Sequence, residues 1–187
     1  MKKNNRFYHI GIVVESIEHS MDYYAKNMNI HFAEPVVTDL TISHPLNGRI
    51  EVVSAKVTYS RGASPYIELI EAIGESVFSK RNIGEILYYG LWESNIPKRI
   101  KQLNKNDVVI DYLISQGESP PNAIITAPDM NGVRSEYVTD SVQGYVRVWT
   151  LTGKAPVKSG LSFLLVGVFS VYYFIKNKIM GNIFKLK

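Results

Sequence analysis

Within residues 7–29 the apolar residues change their spacing from two to that of a helix, and this change constrains the fold more than any other feature of the chain. Residues 7–14 (FYHIGIVV) alternate as a strand does. Tyr8, Ile10, Ile12 and Val14 are expected on one face, and Phe7, His9, Gly11 and Val13 on the other. Ile17, Met21, Tyr24 and Met28 then recur at helical spacing, with Ser16 placed as N-cap and Glu18 in the first turn. A strand feeding directly into an amphipathic helix must bury one of its faces against that helix. The other face carries His9, with Gly11 leaving room beside it. By residue type alone, such a histidine reads as structural.

The remainder of the first half reads as three strands. Residues 30–38 form one, interrupted at Pro35 and so expected at an edge or bulge. A loop over 39–49 follows, with Pro45, Asn47 and Gly48. Residues 50–60 and 65–72 complete the set, and the last places Tyr66, Glu68 and Ile70 on one face. The order then repeats. Residues 85–93 (EILYYGLWE) read as a strand, again with a glycine after two aromatics. Residues 96–103 read as a helix, with Asn95 as N-cap and Pro97 at the first helical position. Strands over 108–115, 123–127 and 133–139 follow, and 145–151 is expected to add one more. Two consecutive units with one element order imply an internal duplication. The expected fold is α+β: two βαβββ modules, about 6–74 and 84–140, curling a mixed sheet around a cavity within a domain over 1–151.

Composition narrows the chemistry. The chain has no cysteine, which excludes disulfides, thiolate metal sites and cysteine nucleophiles. The net charge of +4 belongs to the end of the chain: residues 155–187 hold five lysines and no acid, so residues 1–154, with 16 basic and 17 acidic residues, carry −1. No basic patch for nucleic acid is expected. After Met1 come Lys2, Lys3, Asn4, Asn5 and Arg6 with no apolar run before the first strand, so no secretory signal is expected either.

FYHIGIVV with its helix, then YIELIEA, YYGLW and GVRSEYV, in that order and spacing, resemble the vicinal oxygen chelate superfamily, most closely its glyoxalase-like and methylmalonyl-CoA-epimerase-like members. The resemblance covers roughly residues 6–140. It implies a divalent metal (Zn, Ni, Mn, Fe or Co) held by one ligand from the first strand and one from the last strand of each unit. Carried over by position, the metal ligands are His9, Glu68 and Glu136, with Glu136 and Glu68 also the catalytic carboxylates. At the fourth position, two residues before Gly90, Tyr88 stands where the family usually has histidine. Tyr88 and Trp92 are expected to line the substrate pocket. Imidazole and carboxylate are the donors a borderline divalent cation takes, and a carbonyl polarised by such a cation has an acidic neighbouring C–H. The implied function is a metal-dependent lyase or isomerase of a small 2-oxo, thioester or glutathione-adduct substrate. The alternative is a binding module of the same fold that has lost its metal. Read without the resemblance, Glu68 could lie on a solvated face, and Glu136 could form a surface ion pair with Arg134. His19, His31 and His44 read as solvated residues. Whether the units pair within one chain or across a homodimer stays open.

Residues 161–175 (LSFLLVGVFSVYYFI) carry no charge and are flanked by lysines. They read as a single membrane-spanning helix over 160–176, at the short limit for a span, with Tyr172, Tyr173 and Phe174 near one end as an aromatic belt. A linker over 152–159 would precede it and a basic tail over 177–187 follow it. The expected location is thus a membrane, with the domain facing the cytoplasm.

Overall fold

A computed structural model describes residues 6–156. The first unit comprises β1 (Phe7–Val14), α1 (Ile17–Met28), β2 (Val36–Ser43), β3 (Ile50–Tyr59) and β4 (Tyr66–Glu71). The second comprises β5 (Ile86–Glu93), α2 (Ile96–Lys105), β6 (Ile110–Ser115), β7 (Ala123–Thr126) and β8 (Arg134–Thr139), and α3 (Gln143–Thr152) follows. The duplication read from the sequence is present element for element. The eight strands close into a barrel in the order β1-β4-β3-β2-β6-β7-β8-β5. The expected curled mixed sheet is therefore a ring. In each unit the first and last strands pair in parallel (β1 with β4, β5 with β8), and the other pairings are antiparallel.

Both helices start where the sequence predicts. The Ser16 hydroxyl accepts from the His19 N–H, and the Asn95 side chain accepts from the Lys98 N–H. A carboxylate at the end of a strand reinforces each start. The Ile17 N–H donates to Glu71 at 3.1 Å, and the Asn95 N–H donates to Glu93 at 3.1 Å. Outside the barrel, Ile17, with Met21 and Tyr24, packs against Val14, Phe32 and Leu69. Ile96, Leu103 and Ile100 pack on Ile110 and Ile124. Met28, counted in the apolar stripe, is exposed, because α1 ends there with Asn29 in the left-handed conformation. Inside the barrel, Val13, Ile42, Ala55, Ile70, Leu87 and Ile125 form the largest core cluster.

Three assignments are corrected. The strand expected over 30–38 starts only at Val36, past Pro35, and runs through the expected loop to Ser43, where it pairs with both β3 and β6. Proline at position 35 lacks the N–H a ladder needs, so pairing begins after it. The strand expected over 145–151 is the helix α3. Val146 and Trp149 stand three residues apart, one helical turn, and bury together with Tyr8, Ala33, Tyr59 and Tyr66. Trp149 also donates its indole N–H to the Glu34 carbonyl at 3.0 Å. The third correction concerns the membrane. No helix among the described residues is long and apolar enough to cross one, so the expected membrane localisation and its cytoplasm-facing orientation are withdrawn. The segment 160–176 and the tail 177–187 lie outside the described residues.

Because Trp149 is 2 % exposed, its replacement by alanine removes a large buried ring and leaves a cavity. W149A is expected to lose about 3–5 kcal/mol of stability, read as a fall in the urea midpoint at unchanged slope. A loss below about 1 kcal/mol would show that α3 rests on the barrel without contributing to its core.

Candidate metal centre

Four contiguous strands, β4-β1-β5-β8, carry the positions picked out by the sequence, and their register sorts these into two rows. In one row Glu68 lies beside Gly11, and Gly11 beside Tyr88. In the next, His9 lies beside Gly90, and Gly90 beside Glu136. Each row thus has a glycine at its centre, with a ring on one side and a carboxylate on the other. The glycines let the rings lie down. A Cβ built on Gly11 would fall 2.1 Å from Cε2 of Tyr88, and one on Gly90 would fall 2.0 Å from Cε1 of His9. Tyr88 therefore reaches across Gly11 and donates its hydroxyl to Glu68 Oε2 at 2.8 Å. His9 reaches across Gly90 and brings Nε2 to 3.0 Å from Glu136 Oε2 and 3.1 Å from Glu68 Oε2.

The structure thus brings His9, Glu68 and Glu136 together, with one donor atom from each within 4.8 Å of the others. All three are buried, His9 completely. Neither plain reading of the glutamates survives. Glu68 is not on a solvated face, and Arg134 pairs with Asp111 rather than with Glu136. His19 and His31 are exposed, but His44 is half-buried, its ring 4.4 Å from that of Tyr112. Trp92 lies near the site and stacks on Tyr8 with centroids 3.6 Å apart.

Two of the residues around the centre went unread in the sequence. Strict alternation puts Tyr8 on the helix-facing side of β1. A register shift between Phe7 and His9 breaks the alternation and brings the Tyr8 ring within 4.1 Å of the His9 ring. Nothing local in the sequence marks that bulge. Tyr59 was read only as a strand residue. It lies opposite Glu68 in the β3–β4 ladder and donates its hydroxyl to Glu68 Oε1. Its parity with the buried Val53 and Ala55 was the available signal.

The charges follow from these contacts. Burial would depress the basicity of His9, but Glu68 and Glu136 together outweigh it and raise its pKa to about 9. Burial also favours the neutral form of both glutamates. For Glu68 it is overcome by His9 and by the hydroxyls of Tyr59 and Tyr88, so its pKa falls below the ordinary range. For Glu136, which lacks those hydroxyls, burial prevails over His9, and with the charge of Glu68 it raises the pKa.

The residues fit a divalent cation. The His9 Nε2 has two carboxylate oxygens at hydrogen-bonding distance but neither in line for a bond, and both ring nitrogens are buried without a hydrogen-bond partner. A buried nitrogen left unpaired beside two carboxylates is costly unless something bridges them. One imidazole and two carboxylates form a nitrogen-and-oxygen donor set suited to zinc, nickel, manganese, iron or cobalt.

The sequence profile of the Glyoxalase/Bleomycin resistance protein/Dioxygenase superfamily matches residues 8–119. The chain belongs to this superfamily. Solved structures of similar fold include the methylmalonyl-CoA epimerase of Streptomyces coelicolor in complex with 2-nitronate-propionyl-CoA. That protein is 17 % identical, with a TM-score of 0.52, and the match covers 72 % of this chain and 93 % of that one. The methylmalonyl-CoA epimerase of Mycobacterium tuberculosis is 18 % identical at a TM-score of 0.52, covering 74 % and 92 %. A hypothetical protein of Bacillus halodurans is 23 % identical at 0.51, covering 73 % and 95 %. At these identities the likeness is one of fold. No curated protein matches the sequence significantly. Members of this superfamily commonly bind a divalent metal, and the His9, Glu68 and Glu136 cluster supplies donors for one.

The glycine rows give a direct test. Because a side chain at Gly90 meets the His9 ring and one at Gly11 meets the Tyr88 ring, G90A and G11A are each expected to destabilise the protein by about 1–3 kcal/mol. In G90A the displaced imidazole should also lose its place beside Glu136, seen as a shift of the His9 ring signals by NMR. An unmoved His9 signal in G90A would show that the glycine is not what lets the ring lie across β5.

Proposed function

We propose that the protein is a metal-dependent isomerase or lyase of the epimerase and glyoxalase type. It would move a proton at a carbon beside a carbonyl in a small 2-oxo, thioester or glutathione-adduct substrate. The observation that carries this reading is the convergence of His9, Glu68 and Glu136 on one buried point, with an imidazole nitrogen that no hydrogen bond uses. His9 Nε2 and the Oε2 atoms of Glu68 and Glu136 would hold the cation. When bound, a divalent cation acts as a Lewis acid that polarises a carbonyl oxygen and raises the acidity of the adjacent C–H.

The two carboxylates suit different tasks. Glu68 is held as an anion by two phenol hydroxyls and by His9, which suits a fixed ligand. Glu136 has His9 as its one ionic or hydrogen-bonding partner among the described residues, and burial raises its proton affinity. It is the group placed to accept and return a proton. Tyr8, Tyr59 and Trp92 lie around the centre as aromatic surface that keeps water away from the transfer. The fold shared with methylmalonyl-CoA epimerases supports the reaction class and leaves the substrate open.

A second reading is favoured by Tyr88. Its hydroxyl occupies the place symmetric to His9 and engages Glu68. On that reading the chain is a non-catalytic module that binds a small molecule without metal.

Metal content separates the two. Full-length protein purified without chelators or a histidine tag is expected to carry about one equivalent of a divalent metal, and H9A/E136A little. No uptake after incubation with excess zinc, nickel or manganese would leave only the binding module. Affinity should depend on pH in a defined sense. Below about 9 the metal-free His9 is protonated, so each cation bound must displace one proton. Apparent affinity should therefore rise by about tenfold per pH unit towards 9 and then level off, as competition titrations between pH 6.5 and 9.5 can measure. On a substrate found by screening 2-oxo and thioester compounds in deuterated water, E136Q should slow proton exchange by about 10²–10⁴-fold.

A further inference from the structure

Tyr88 stands at a point where the two units of the barrel differ in the site itself. The register makes it the counterpart of His9: each lies two residues before a glycine and crosses the other unit's glycine. The two rings end differently. His9 leaves its nitrogen unpaired, whereas Tyr88 spends its hydroxyl on Glu68 Oε2. That oxygen is the same one that stands 3.1 Å from His9 Nε2. The second oxygen of Glu68 accepts the Tyr59 hydroxyl. Each carboxylate oxygen of Glu68 thus carries one phenol: Tyr59 from the adjacent strand β3 and Tyr88 from β5, the strand beyond β1. Two such bonds fix the plane of a carboxylate and leave it little freedom to turn. Among the described residues, Glu136 has no phenol partner.

We propose that Tyr88 is a positioning residue of the metal centre. It donates to Glu68 Oε2, orients that carboxylate toward the cation, and remains outside the coordination shell. This inference rests on the metal-binding reading above. It makes the centre one of three protein ligands rather than four, and the position vacated by a fourth ligand is left for substrate oxygen. Tyr59 is the second positioning residue, acting on Oε1. Removing an outer partner of this kind usually weakens metal binding by about 10–100-fold without abolishing it.

The test uses the full chain with zinc or nickel alone, and then ferric ion as a spectroscopic probe. A phenolate bound to ferric iron absorbs in the visible by charge transfer, whereas a phenol held outside the shell does not. The expected result has three parts. Wild-type protein binds one cation. Ferric protein shows no charge-transfer band. Y88F and Y59F each bind zinc about 10–100-fold more weakly while keeping the wild-type circular dichroism. Y88F is the suitable variant because a phenylalanine ring still fills the space above Gly11. A visible band in the wild type that disappears in Y88F would make Tyr88 a direct ligand and overturn the proposal. Unchanged affinity in Y88F would overturn it as well, since the hydroxyl would then do nothing for the centre. If wild-type protein takes up no metal at all, the metal-binding reading itself fails and this inference fails with it. That result differs from the other two because it appears before any variant is made.

Discussion

The antiparallel pairing of β1 with β5 governs the site. It sets Gly11 opposite Tyr88 and Gly90 opposite His9, so each unit supplies the gap into which the other's ring lies. Built side chains at these glycines would meet the rings at 2.1 and 2.0 Å. With a side chain at either position, a ring would have to stand away from the sheet and could not reach the carboxylate beyond the glycine. The glycines are thus required for close approach, not for an unusual backbone angle. The reach of both rings, the meeting of His9 with two glutamates and the bond from Tyr88 to Glu68 all depend on this one seam.

Burying two carboxylates and an imidazole inside a barrel is unfavourable unless each charge is answered. Glu68 is answered three times, by Tyr59, Tyr88 and His9. Glu136 is answered once, by a histidine whose nitrogen is not aligned to bond it. The cation proposed above would answer the nitrogen and both oxygens together.

Much of this was legible in the chain. The strand-to-helix switch, its repetition and the caps of α1 and α2 follow from local spacing, and the structure keeps them. The pairing of His9 with Glu68 and Glu136 came only from the resemblance, since spacing alone left both glutamates open to solvated positions. The failures share a cause: they depend on contacts between distant segments. The far end of β2 is held by pairing with β3 and also with β6, an element some 70 residues on. The α3 helix had a strand-like run of valines and aromatics, and docking of Trp149 against Tyr59 and Glu34 decided its conformation. Tyr8 turned toward His9 because of a bulge formed against β5. Tyr59 acquires its role only when β3 lies beside β4. Residues 160–176, where composition suggested a span, lie outside the described residues, and nothing in the described part crosses a membrane by helix.

Closure of the ring has a consequence of its own. An open sheet ends in two strands whose outward N–H and C=O groups can recruit a strand from another chain. Here β2 and β6 meet through Thr41–Ser115, Ile42–Ile114 and Ser43–Leu113, and that short seam leaves the barrel without a terminal strand. Against the eight-residue ladder of β2 with β3 it is a short join, of three residue pairs like those of β3 with β4 and β7 with β8. Protection from edge-to-edge association therefore depends on joins as short as three residue pairs, and local opening at any of them would expose two edges at once.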